Sequence, residues 1–128
     1  MSKFAFLVNS PPGNPGPVAN NLEYARNLDE AGHDVVVYFD GQATQWIPEA
    51  EDDPDGVVHE YYQEAKERGL IAGACGYCAS FFEIDDSIEA AGIALDGGAV
   101  EGASGPGDHH GPDVAALVEQ DYQLINVG

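Results

Sequence analysis

Two uninterrupted apolar runs, Phe4-Ala5-Phe6-Leu7-Val8 and Val35-Val36-Val37-Tyr38-Phe39, constrain the fold of this chain more than any other feature. A strand with one wet face alternates apolar and polar residues, whereas an unbroken apolar run needs cover on both faces. Each run stops at turn chemistry, Asn9-Ser10-Pro11-Pro12-Gly13 after the first and Asp40-Gly41 after the second. Between them Val18, Leu22, Ala25 and Leu28 draw one apolar stripe at helical spacing, from a start at Pro17 to a stop at Gly32. Strand, loop, helix and strand make a βαβ unit, and the rest of the chain must continue the sheet that this unit begins.

The continuation follows the same alternation. Residues 42–55, with Trp46, Ile47, two prolines and a run of acids, predict a long irregular connection of the kind that covers a site or meets a partner. Val58, Tyr61 or Tyr62, and Ala65 then keep helical spacing up to Gly69, and a third strand from Leu70 to Ala74 delivers Cys75. Asp86-Ser87-Ile88-Glu89 has the form of a capping box for a short helix that ends at Gly92. Ile93-Ala94-Leu95 predicts a fourth strand, and the glycine-rich stretch 96–112, which contains Asp108-His109-His110, has no periodicity. Pro112 opens a helix carrying Val114, Leu117 and Val118, and Leu124-Ile125-Asn126-Val127 closes the chain as a last strand. The expectation is one domain over residues 1–128, a three-layer α/β/α sandwich with a mostly parallel, flavodoxin-like sheet of about five strands. Loops that follow parallel strands gather at one edge, so segments 10–16, 41–55, 75–84 and 96–111 are expected to form the site together.

Composition narrows the partners. A chain of 128 residues can bury a core without disulfides, so its two cysteines, Cys75 and Cys78, suit a redox, metal or nucleophile site in a reducing compartment. The amino-terminal Met-Ser-Lys runs straight into the first strand, and no apolar run nears the roughly 18 residues of a membrane span. A soluble, cytoplasmic protein is expected. The net charge of −19 comes from 23 acidic residues against Lys3, Arg26, Lys66 and Arg68, and it argues against nucleic-acid or anionic-membrane partners. A hydrophobic fraction of 44% in periodic segments argues against disorder, which leaves adaptation to high salt, as in a haloarchaeal source, as the reading of the charge.

The chemistry concentrates in Ala74-Cys75-Gly76-Tyr77-Cys78-Ala79, at a strand end before a turn or helix. Backbone N–H groups of Gly76, Tyr77 and Ala79 aimed at Cys75 would stabilise a thiolate, and the local helix dipole is expected to outweigh the distant negative field. Against this stands burial of both cysteines as small hydrophobes. Three functional readings compete. A dithiol would cycle Cys75 and Cys78 through a disulfide, but the Trp-Cys-Gly-Pro-Cys context of thioredoxin-like motifs is missing. A metal site would add His109 and His110 to the two cysteines. A sulfur carrier would hold a persulfide. A nucleotide- or flavin-binding module is also compatible with the fold, with segment 10–16 as an anion loop, although that loop lacks the phosphate-loop lysine and the dinucleotide glycine spacing.

Along nearly its whole length the chain resembles the DsrE/DsrF/TusD-like sulfur-relay family, of the DsrEFH-like superfamily. The resemblance lies in the order of features: Asn9-Ser10-Pro11-Pro12-Gly13 after the first strand, Ala31-Gly32-His33 before the second, and Asp40-Gly41 after it. Glu67-Arg68-Gly69 before the cysteine strand and the terminal Tyr122-Gln123-Leu124-Ile125-Asn126-Val127 extend it. The resemblance implies that Cys75 is the persulfide-bearing cysteine, that Glu83 stands where the family commonly has a glycine, and that Cys78 either resolves a persulfide or packs. It further implies a small sulfurtransferase-like subunit without a cofactor, working between donor and acceptor proteins as a homo- or hetero-oligomer, a trimer or hexamer, in tRNA thiolation or sulfur metabolism. Trp46, Phe81 and Phe82 are expected at the surface, where they could form an interface, or turned inward.

Overall fold

The computed structural model describes residues 1–96 and 111–128. Strands β1 (Lys3–Val8), β2 (Asp34–Phe39), β3 (Ile71–Cys75), β4 (Leu95–Asp96) and β5 (Tyr122–Val127) form one sheet in the order β4-β3-β2-β1-β5, with every pairing parallel. Helices cover both faces, as the apolar runs require. Val35, Val37 and Phe39 point to the side of α1 (Pro15–Glu30) and α3 (His59–Glu67), where Phe39 meets the Tyr62 ring edge-on at 6.5 Å. Val36 and Tyr38 face the other way, toward Leu117 on α6 (Val114–Glu119). The main core is Phe6, Val8, Val37 and Phe39 against Val18, Leu22, Tyr62 and Ala65, all buried. Each such large apolar side chain contributes about 1.5–3 kcal/mol by leaving water.

Helix α1 begins at Pro15, earlier than the predicted Pro17, because both prolines fit a first turn whose N–H groups need no intrahelical partner. It closes as predicted at Gly32, whose φ of 92° carries the chain into β2 while the His33 N–H donates to the Leu28 carbonyl at 3.0 Å. The fourth strand lies slightly later than predicted, at Leu95–Asp96, since Ala94 lends β3 only its carbonyl.

Two expectations are corrected, and of the two placements open to Trp46 the inward one holds. Segment 42–55 is not irregular: a 3-10 turn over Gly41–Gln45 leads into α2 (Trp46–Asp52), with Trp46, Ile47 and Ala50 turned inward. Pro48 is tolerated because it lies in the first turn of α2. Trp46 is only 4% exposed, and its indole N–H donates to the Ser10 carbonyl at 2.9 Å, so it fastens the loop after β1 to α2 and forms no outer surface. The capping box at Asp86 is absent as well. Helix α5 (Asp85–Ala90) has Ile84 as its N-cap without a side-chain bond, and Asp85 and Asp86 stand in the first turn, where their charge favours the positive helix end. Among the described residues no helix is long and apolar enough to cross a membrane.

Candidate functional site

Strand β3 is built of small residues, Ala72, Gly73 and Ala74, which let it lie between β2 and β4 and bring Cys75 to the carboxyl edge of the sheet. Cys75 keeps an extended backbone (φ −63°, ψ 115°) and acts as the N-cap of the six-residue α4 (Gly76–Phe81). Its Sγ accepts the Cys78 N–H at 3.4 Å. Gly76 and Ala79 are buried in α4, whereas Tyr77 reaches solvent. Cys75 is 2% exposed, Cys78 is half-buried, and neither forms a disulfide.

The expected lowering of the Cys75 pKa does not occur. Burial pushes it up to about 12. The Cys78 N–H opposes this, but the Cys78 thiol and the Asp40 carboxylate add to the rise. One bond from a short helix does not offset the loss of water around the sulfur. The resting thiol is therefore protonated.

Sequence reasoning missed Asp40, which it took only as the stop of β2. The side chains of Asp40, Cys75 and Cys78 bring their ligating atoms within 4.8 Å of one another. The cause is a slip in strand register: Val37 pairs with Ile71, but Tyr38 pairs with Gly73 and Phe39 with Ala74, which sets Asp40 beside Cys75. Without the extra residue in β3, Asp40 would lie beside Ala74. The Asp40 carboxylate is oriented by the Gly41 N–H at 2.9 Å. Gly111 closes the group on another side with a bare α-carbon, since a Cβ there would stand 3.4 Å from Cys75 Sγ and 3.9 Å from Asp40 Oδ1.

The other candidates stand apart or unseen. Asp108, His109 and His110 lie outside the described residues. The loop after β1 borders a cleft of about 180 Å³ lined by Gly13, Trp46, Val58 and His59, which contains neither cysteine. Next to the cysteines, Phe81 is 72% exposed and packs edge-on against the half-buried Phe82 at 5.1 Å, so an aromatic surface does flank the site.

Cys75 thus stands at the carboxyl end of a strand, as the N-cap of the next helix, on the edge where doubly covered parallel sheets bind their ligands. No curated protein and no solved structure matches the chain. A family model described as DsrE/DsrF-like matches residues 2–127, essentially the whole sequence. Sequence order, sheet topology and this match agree: the chain belongs to the DsrE/DsrF-like family, whose members work in sulfur relay.

Proposed function

We propose that the chain is a sulfur-relay subunit, one domain over residues 1–128, that accepts sulfane sulfur as a persulfide on Cys75 and passes it to a partner thiol. The observation that carries this reading is the position of Cys75: buried at the end of β3, with the Cys78 N–H directed at its sulfur. In the loading step Cys75 Sγ, on losing its proton, attacks the outer sulfur of a donor persulfide. A new S–S bond forms at Cys75, the donor S–S bond breaks, and the donor leaves as a thiolate that takes up the proton. In the delivery step an acceptor thiolate attacks the outer sulfur and Cys75 departs with the electron pair. No net oxidation occurs in either step. The Cys78 N–H points at the atom that gains charge on delivery, so it assists the departure.

Burial suits a carrier in this scheme. The protonated resting thiol resists adventitious oxidation, since the thiolate is the reactive form. The persulfide carries its charge on the outer sulfur, one bond farther from the buried Sγ. The exposed Phe81 and Tyr77 beside the site give a donor, an acceptor or a second protomer an apolar foothold. A reducing cytoplasm fits two free cysteines, and a high-salt one fits the charge of −19.

Proximity of the two sulfurs supports a second reading, a dithiol in which the Cys78 thiolate attacks the inner sulfur of a Cys75 persulfide, so that the persulfide S–S bond breaks, hydrosulfide leaves and an internal disulfide remains. Intact-mass measurement after incubation with a sulfane-sulfur donor separates the two. The relay gives a reductant-reversible gain of about 32 Da, one sulfur, that disappears in Cys75→Ser and persists in Cys78→Ser. A loss of about 2 Da, an internal disulfide with no sulfur gained, overturns the relay in favour of the dithiol.

A further inference from the structure

We propose that Asp40, Cys75 and Cys78 form a binding site for a zinc-type divalent cation. Their ligating atoms, two sulfurs and a carboxylate oxygen, already lie within 4.8 Å of one another. A tetrahedral zinc with bonds of about 2.3 Å to sulfur and about 2.1 Å to oxygen requires ligand separations of about 3.5–3.8 Å. Closing that gap takes about 1 Å, within reach of side-chain rotation by the half-buried Asp40 and Cys78, without backbone movement. Two sulfur donors select a zinc-type ion over magnesium or calcium, which prefer oxygen throughout.

Two further observations point to a cation. The Asp40 carboxylate is held by the Gly41 N–H, the kind of outer contact that orients a metal ligand. Every lysine and arginine of the chain is engaged elsewhere, so none of these four pairs with the Asp40 carboxylate. Lys3 bonds the Gln120 carbonyl, Lys66 pairs with Glu51, Arg26 with Glu23, Glu30 and Glu64, and Arg68 with Asp29 and Glu64. Gly111 approaches Cys75 and Asp40 with a bare α-carbon, so that residue places no side chain against the three ligands. A bound ion would occupy the lone pair that Cys75 needs for sulfur transfer, so metal and persulfide exclude each other.

The test is a titration of the reduced, metal-stripped full chain with cobalt(II), followed by its visible and near-ultraviolet spectrum. The expected result is one equivalent bound, with sulfur-to-cobalt charge-transfer bands that zinc erases. Cys75→Ser and Cys78→Ser each weaken those bands, and Asp40→Asn lowers the affinity at least about tenfold. Far-ultraviolet circular dichroism confirms that each variant is folded. Wild-type protein without charge-transfer bands, or a folded Asp40→Asn variant with unchanged affinity, overturns the site. Persulfide loading measured on metal-free protein is independent of either outcome, so the two proposals fail separately.

Discussion

At Cys75, burial and reactivity pull in opposite directions, and burial sets the resting state. The sulfur is 2% exposed, which raises its pKa to about 12, above the ordinary thiol value near 8.5. Below that value the thiolate fraction grows tenfold per pH unit. In metal-free Cys78→Ser protein, alkylation of Cys75 is therefore expected to accelerate steadily from about pH 7 to about pH 10 without levelling. A plateau below pH 10, read from rates at a series of pH values, would show that the thiol ionises as if exposed. Glu83 presents a different tension. Its φ of 58° lies in the left-handed region, which an L side chain occupies at a penalty of about 1 kcal/mol. A glycine here, which the resemblance to the relay family implies as the common residue, would adopt this backbone without that penalty. Glu83→Gly is expected to raise the unfolding free energy by up to about 1 kcal/mol, measured by urea denaturation, with a decrease counting against strain at this turn.

Among the elements, the least legible was α2. Pro48 and Pro54 read as breakers, yet the first lies in a helical first turn and the second beyond the helix end at Asp52. The inward face of Trp46, Ile47 and Ala50 was present in the sequence but too short to show a period. What fixes α2 against α3 is also invisible in spacing: Glu51 accepts hydrogen bonds from the Tyr62 hydroxyl at 2.6 Å and the Lys66 ammonium at 2.8 Å. Burial alone would raise the Glu51 pKa, but these two bonds outweigh it and the net shift is downward. A carboxylate whose pKa is lower folded than unfolded stabilises the protein above its unfolded pKa, and loses that contribution as pH falls through the folded one. Glu51→Gln is thus expected to be about 1 kcal/mol less stable than wild type near pH 7, with the difference narrowing through the carboxylate range. Urea unfolding at several pH values tests this, and a difference independent of pH would assign the loss to packing instead.

For the molecule as a whole, the parallel sheet and its helices were legible because unbroken apolar runs permit few arrangements. The position of Cys75 at the carboxyl edge followed from the same alternation. Asp40 beside it did not, since an alternation pattern carries no information about a one-residue slip between Val37 and Tyr38 against β3. Charge acts at this largest scale. Three of the four cationic side chains are held in local ion pairs and Lys3 bonds a backbone carbonyl, so most of the 23 acidic groups repel one another across the surface. That repulsion favours expansion, and its reach is set by salt: the screening length falls from about 10 Å at 0.1 M to about 3 Å at 1 M. Thermal unfolding in increasing potassium chloride is expected to show the midpoint rising by at least about 5 °C over this range, on the order of 1 kcal/mol for a chain of this size. Choline chloride should act equally, because screening depends on ionic strength and not on the cation. A midpoint that rises in potassium chloride alone would mean that specific cations hold the acidic surface, and one flat or falling in both salts would mean that its self-repulsion does not govern stability.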